Sequence, residues 1–249
     1  MSELIYGRNP VFEALKADRT FEKLLLQKNV EGSARKIASQ AREKKIPIQY
    51  VEKAILDRLT NGAHQGVVAQ VSDYRYLAFD ELMGIASSGS DVPFLLVLDG
   101  IQDPHNLGAI LRSADGAGVQ GVVIGSRRAV GVTDAVTKVS AGAAEFVPVA
   151  RVSNLTGAVE QLKKAGYWVT ACDMDGQAYD QADLTGPLAL VIGGEDQGVS
   201  RSLREAADQI VSIPMLGKIQ SLNASNAAAV IMYEVRRQRR LGTVAGRQA

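Results

Sequence analysis

Three short stretches of this 249-residue chain bring together residue types that can do chemistry. The first is Leu98-Asp99-Gly100-Ile101-Gln102-Asp103-Pro104-His105-Asn106-Leu107-Gly108-Ala109-Ile110-Leu111-Arg112. Asn106 reads as a helix cap, and Arg112 follows six positions later, offset by about 120° of helix face. An arginine fork bonds two phosphate oxygens at once. The second stretch is Ile192-Gly193-Gly194-Glu195-Asp196-Gln197-Gly198-Val199-Ser200, with glycines that allow close backbone approach and a carboxylate ahead of a helix. The third runs Ile213-Pro214-Met215-Leu216-Gly217-Lys218-Ile219-Gln220-Ser221-Leu222-Asn223-Ala224-Ser225-Asn226-Ala227, with Ser221 placed to cap a helix reaching about Arg240. Each stretch alone also has a plain structural reading. An Asn cap with one arginine fits any helix start, a Gly-Gly-Glu-Asp loop fits a tight turn, and Ala224, Ala227, Ala228 and Ala229 fit close helix packing. Ser221, Asn223 and Ser225 are harder to assign to packing.

Other chemistries are missing. His64 and His105 are the only histidines and Cys172 the only cysteine, which is too few for a usual zinc site. No G-x-S-x-G nucleophile elbow occurs, and Cys172 sits in a strand-like context that suits a buried inert thiol. The glycine loop is neither a dinucleotide fingerprint nor a phosphate-cradling loop with Lys-Ser/Thr.

These loops need a scaffold, and the flanking pattern supplies one. Apolar runs at Phe94–Leu98, Val122–Ile124, Val147–Val149, Trp168–Ala171, Leu188–Ile192 and Ile210–Ile213 alternate with helical stretches, predicting an α/β domain with a largely parallel sheet. Ligands on such sheets bind at the carboxyl ends of strands, where the three loops lie. Residues 1–75 read as a smaller α/β unit. There Asn9-Pro10 opens a helix, residues 31–45 form another, and Leu24–Leu26, Ile48–Val51 and Val67–Val71 are strands. Residues 76–92, with a short helical pattern and then Ser87-Ser88-Gly89-Ser90-Asp91, read as the linker to a domain spanning 93–249.

Composition fits a soluble, cytosolic globular protein: 46% hydrophobic, 22% charged, with no apolar run long enough for a membrane span and no signal-peptide pattern. The net charge is only +1, but it is unevenly spread. Residues 1–75 hold 13 Lys/Arg against 9 Asp/Glu, residues 76–235 hold 10 against 18, and the last fourteen hold five arginines and no acid. Basic ends suit an anionic polymer, and they equally suit solvated surfaces.

Taken together, the three loops resemble the SpoU/TrmH family of RNA ribose 2′-O-methyltransferases, in the knotted, S-adenosylmethionine-dependent class. The resemblance is carried by Asp103-Pro104-x-Asn106-x-Gly108-Ala109-Ile110-x-Arg112, by Gly193-x-Glu195-x-x-Gly198, and by Ile213-Pro214-Met215 with Ser221-Leu222-Asn223-x-Ser225 and Glu234. Asp196 stands where the family often has Gly, and Ala224 where it often has Val. Tyr6-Gly7-Arg8-Asn9-Pro10-Val11 and His64-Gln65-Gly66-Val67-Val68-Ala69 resemble the small substrate-binding domain of the branch that methylates a guanosine in 23S ribosomal RNA; relatives acting on transfer RNA share the catalytic motifs. The resemblance implies a deep trefoil knot, a homodimer, an RNA substrate, no metal, and S-adenosylmethionine held around Gly193, Gly194, Ile213 and Leu222. It also implies that Arg112 activates the ribose hydroxyl, with Asn106, Glu195, Ser221 and Asn223 orienting it or the substrate. Arginine keeps its proton in nearly all settings, so clamping a phosphate or stabilising a forming alkoxide suits Arg112 better than acting as a base. A non-catalytic RNA-binding factor or a generic nucleotide-binding protein would share the scaffold; the full set of polar site residues favours the enzyme.

Overall fold

The computed structural model describes residues 3–17, 19–29, 32–72, 74–195 and 197–245. The chain divides into two units, Met1–Arg75 and Tyr76–Ala249.

In the first unit, β1 (Glu3–Tyr6), α1 (Arg8–Lys16), β2 (Thr20–Gln27), α2 (Ser33–Glu43), β3 (Ile48–Val51), α3 (Lys53–Leu59) and β4 (Val67–Ser72) form a four-stranded sheet ordered β1-β4-β2-β3. Successive side chains of a strand face opposite ways. Leu24 and Leu26 of β2 therefore join Val11, Leu15 and Ile37 in one core, while Leu25 joins Val51, Leu56 and Val68 in another. Asn9 does not cap α1. The cap position is Gly7, whose φ of 96° suits a glycine, and Pro10 lies within the first turn. His64 is a structural residue. Its Nδ1 accepts from the Gly66 N–H (2.9 Å), which leaves the proton on Nε2 to donate to Asp57 (2.8 Å).

The second unit contains α4 (Phe79–Ser88), β5 (Phe94–Asp99), α5 (Pro104–Ala117), β6 (Gly121–Gly125), α6 (Asp134–Val139), β7 (Val149–Val152), α7 (Leu155–Lys164), β8 (Trp168–Ala178), β9 (Leu188–Gly193), α8 (Arg201–Ala206), β10 (Gln209–Ser212) and α9 (Ala224–Ala245). Its six strands are all parallel, in the order β10-β8-β9-β5-β6-β7. From β5 the chain moves outward through β6 to β7, then crosses to the far side for β8, β9 and β10. The order reverses between β5 and β9, so the crevice expected of such sheets opens beyond their carboxyl ends. The register pairs Asp99 with Gly193 there.

Three details depart from the sequence expectation. The stretch 76–92 is more than a connection, because α4 buries Leu82 and Ala86 completely in the core beside Val123 and Ala150. Gly121 makes room for it: a Cβ there would lie 2.4 Å from a Leu82 methyl. The strand expected at Val147–Val149 is instead Val149–Val152, starting after Pro148, whose missing N–H cannot join a ladder. Trp168–Ala171 extends to Ala178 by looping out. Ile210 of β10 pairs with Ala171, but its neighbour Val211 pairs with Gln177. The intervening Cys172–Gly176 excursion depends on Gly176, where a Cβ would lie 2.5 Å from the Val211 backbone.

Candidate active site

Hydrogen bonds join the end of β5 to the loop after β9. The Gly194 N–H donates to the Asp99 carbonyl (2.8 Å), and the Ser200 N–H donates to Asp99 Oδ2 (2.8 Å). The loop after β9 closes on itself through the Gly198 N–H to the Gly194 carbonyl (2.9 Å). The two glycines at its start are required by this closure. A Cβ on Gly193 would sit 2.0 Å from the Gly198 carbonyl carbon, and one on Gly194 would sit 2.4 Å from the Gly100 oxygen. Close approach is thus already used by the chain against itself.

The helices bring three side chains together across this loop. The cap of α5 is Asp103, not Asn106: Asp103 Oδ1 accepts from the His105 N–H (2.9 Å), and Pro104 holds the first helical position. Asn106 is thereby freed to turn inward, where it is 7% exposed. Its Nδ2 donates to Glu195 Oε1 (3.0 Å). Likewise the residue bracing the start of α9 is Asn223, not Ser221. Asn223 Oδ1 accepts from the Ser225 N–H (2.9 Å) and the Ser225 hydroxyl (2.6 Å). Asn223 Nδ2 donates to Asn106 Oδ1 (2.9 Å) and to Glu195 Oε1. Residues separated by 117 positions thus meet on one carboxylate oxygen. Glu195 Oε2 has no partner among the described residues and stays available as an acceptor.

Beside this cluster lies a cleft of about 650 Å³. Gly193, Gly194, Ile213 and Leu222 all line it, as do Glu195, Ser221 and Asn223. Met215 extends the apolar wall. The sequence reading missed its opposite side, formed by the Cys172–Asp175 excursion and by Arg204, which pairs with Asp173 (3.2 Å) and Asp175 (3.3 Å). An irregular strand brings Cys172–Asp175 here, and periodicity carries no signal for that. Burial, reinforced by the Asp173 charge, pushes the Cys172 thiol up to about 11, so it is protonated and unreactive at neutral pH.

Arg112 stands apart. It is exposed on α5, lines neither this cleft nor the neighbouring cavity, and has no ion pair among the described residues. The basic tail is also partly structural. Arg237 makes a two-pronged pair with the buried Glu234 (2.7 and 2.7 Å), which holds that carboxyl below its ordinary range. Arg239 donates to the carbonyls of Val92 (2.7 Å), Pro93 (3.1 Å) and Gly186 (2.8 Å), and its burial lowers the guanidinium to about 10. No three metal-ligating side chains cluster among the described residues, and no helix there is long and apolar enough to cross a membrane.

A parallel sheet with a cleft of small-molecule size beyond the carboxyl ends of β8, β9 and β10, beside a carboxylate shared by two asparagines, defines an α/β protein with a candidate ligand site. Comparison with known proteins fixes the family. Residues 93–233 match the SpoU rRNA methylase family and residues 4–77 the RNA 2′-O ribose methyltransferase substrate-binding domain, so the chain belongs to the SpoU rRNA methylase family. It is 46% identical to YacO of Bacillus subtilis, named as a TrmH-family tRNA/rRNA methyltransferase, over 95% of this chain and 96% of that one. A Staphylococcus haemolyticus protein named for the same family is 43% identical over 95% and 96%. Among solved structures, the SpoU methyltransferase AviRb from Streptomyces viridochromogenes, in complex with the cofactor AdoMet, superposes with a TM-score of 0.60 at 28% identity, covering 96% of this chain and 90% of that one. An RNA 2′-O ribose methyltransferase gives 0.56 at 27% identity, over 96% and 89%. The chain is a methyltransferase of the SpoU/TrmH family.

Proposed function

We propose that this protein transfers a methyl group from S-adenosylmethionine to a ribose 2′-hydroxyl of RNA, with a guanosine of 23S ribosomal RNA as target, and that it works in the cytoplasm as a homodimer. The observation that carries this reading is the convergence of Asn106 and Asn223 on Glu195 at the rim of the cleft. The cleft suits the methyl donor: its volume lies in the range of small-molecule sites, and its walls mix apolar side chains with backbone polar groups and a few charges. Ile213, Met215 and Leu222 would hold the donor's apolar surface, and the backbone at Gly193 and Gly194 its polar edges. When bound, S-adenosylmethionine supplies an electrophilic methyl group on a sulfonium.

The chain's own residues then have separable tasks. Asn106 and Asn223 occupy one oxygen of Glu195 and fix the carboxylate, so its other oxygen is left to accept a hydrogen bond from the ribose hydroxyl. Ser221, exposed beside the cleft, offers a second hydroxyl contact. Holding the acceptor oxygen in line supplies most of what such a transfer needs, since good positioning contributes up to ~7–11 kcal/mol. Arg112, exposed and uncommitted, fits a clamp on the RNA phosphate beside the target ribose. Its place outside the cleft lining favours a site completed when RNA or a second copy is present. Tyr233 and Leu241, both exposed on α9, offer apolar contact for that copy. The threaded trefoil backbone belongs to the same proposal.

Mass-spectrometric mapping of ribose methylation in ribosomal and transfer RNA from a strain lacking this protein tests the reading. One missing 2′-O-methylguanosine in 23S RNA, restored by the purified enzyme, is expected. A missing transfer-RNA methylation would redirect the substrate, and an unchanged map would overturn the function. Sedimentation at micromolar concentration tests the dimer, which a fully active monomer would refute.

A further inference from the structure

A second cavity, of about 550 Å³, lies across the glycine loop from the donor cleft. Gly194, Glu195, Gln197 and Gly198 form a wall common to both, so the loop is a partition with a space on either side. The two spaces differ in chemistry. The second lacks the apolar wall of Ile213, Met215 and Leu222. It is lined instead by Asp99, Gln102, Asp103, Asn106 and Arg128. Asp99, Asp103 and Glu195 each use one oxygen to brace the fold, through the Ser200 N–H, the His105 N–H and the asparagine amides respectively. The other oxygen of each has no partner among the described residues. Arg128 is the one cation among the lining residues; it is exposed and has no ion pair among the described residues. Its φ is +53°, a left-handed conformation that is uncommon for a non-glycine residue.

A transfer between two molecules needs two sites meeting at the reacting atoms. Resting on the function proposed above, we infer that this second cavity seats the base of the acceptor nucleotide and that Arg128 reads it as guanine. Three carboxylates disfavour a phosphate inside the cavity and favour a ligand rich in N–H donors. Guanine presents two adjacent acceptors, O6 and N7, which match an arginine fork. Its N1–H and N2–H₂ donors point the other way, toward a carboxylate partner. Adenine interrupts the acceptor pair with its amino group, uracil has a single N–H donor, and cytosine a single amino group. Of the four bases, guanine therefore uses both the cation and the carboxylates most fully. Arg128 acts as a specificity residue in this arrangement, distinct from the cluster that faces the ribose.

The test uses the full-length enzyme and a ribosomal-RNA fragment carrying the mapped nucleotide, made with guanosine, 7-deazaguanosine or adenosine at that position. Arg128→Gly is the informative variant, because glycine adopts a positive φ without strain. It should keep or raise the melting temperature and keep donor affinity by calorimetry. Its kcat/KM on the guanosine fragment should fall about 10- to 100-fold, the size of one bidentate base contact. The 7-deaza substitution, which removes N7, should slow the wild type by about tenfold and the variant no further. Equal effects of 7-deaza substitution on both proteins would overturn the role of Arg128, as would unchanged turnover in Arg128→Gly. A mapped nucleotide other than guanosine overturns the base assignment while leaving ribose methylation standing. Absence of methylation on any RNA overturns the function itself, and this inference with it.

Discussion

Glu195 is the residue on which two asparagines from distant segments converge, so its charge and its position can be tested separately. Glu195→Gln keeps the shape and removes the charge that makes those hydrogen bonds strong. Turnover should fall by about 10²-fold, at the lower end for loss of a group handling the reacting proton, with donor affinity nearly unchanged. A radiolabelled methyl-transfer assay beside calorimetry reads both; near-normal turnover would remove Glu195 from the mechanism. Arg112→Ala should abolish transfer on RNA without lowering the melting temperature, since the side chain is exposed and unpaired among the described residues. Arg112→Lys should also lose most of the rate if fork geometry matters. Cys172 gives an independent probe of the cleft. Its thiol holds its proton to about 11, so alkylation by iodoacetamide should be slow at pH 8 and accelerate only as pH approaches that value. S-adenosylhomocysteine should block it if the donor binds where we propose, because Cys172 lines that cleft. Between an ordinary thiol pKa near ~8.5 and the raised one, the folded state binds more protons than the unfolded state, so this residue makes stability fall as pH rises. Asn106, Glu195 and Asn223, which the structure brings together, were legible in the sequence as types at a spacing. The partners of Asn106 were not, because a hydrogen bond across 89 positions leaves no local trace.

At the scale of elements, the loop after β9 shows how a motif can be read correctly as position and differently as cause. The sequence marks Gly193 and Gly194 as places of close approach, and the structure shows what approaches: the backbones of Gly198, Val199 and Gly100. Gly193→Ala should therefore cost about 3 kcal/mol or more in stability, because backbone cannot swing aside as a flexible side chain can. Donor binding should be lost along with it. A melting temperature equal to that of the wild type would show that the loop has room to spare. Gly108 has the same logic one helix away: a Cβ there would sit 2.7 Å from Val139, so this motif glycine serves the packing of α5 on α6. The caps were harder to read. Asp103, Asn106, Ser221 and Asn223 are all good capping types, and only the position of the first helical turn decides which of each pair caps and which is free.

At the scale of the molecule, the division into two units makes a prediction about where the catalytic part begins. The SpoU methylase match starts at residue 93, and so does the apolar run that opens β5. The core does not. Leu82 and Ala86 of α4 are fully buried in it, and the Leu77 N–H donates to the Val149 carbonyl (3.0 Å). Burying one leucine contributes about 1.5–3 kcal/mol. Removing the whole of α4 and its lead-in should thus cost on the order of 5 kcal/mol, comparable with the entire stability of an ordinary domain. The short polar run Ser87–Asp91 looks like a boundary because such residues end helices as readily as they link domains. A fragment beginning at Tyr76 should melt cooperatively and bind S-adenosylmethionine with the affinity of the full chain. A fragment beginning at Pro93 should aggregate or melt without a sharp transition. The Tyr76 fragment should also methylate RNA poorly, since it lacks the unit that matches the substrate-binding domain and carries 13 of the 28 basic residues. The salt dependence of RNA binding separates this loss from a folding defect: the slope of log affinity against log salt should be shallower for the fragment, because fewer phosphates are neutralised. Cooperative melting of the Pro93 fragment would show that α4 is dispensable, and an unchanged salt slope would show that the first unit does not touch RNA.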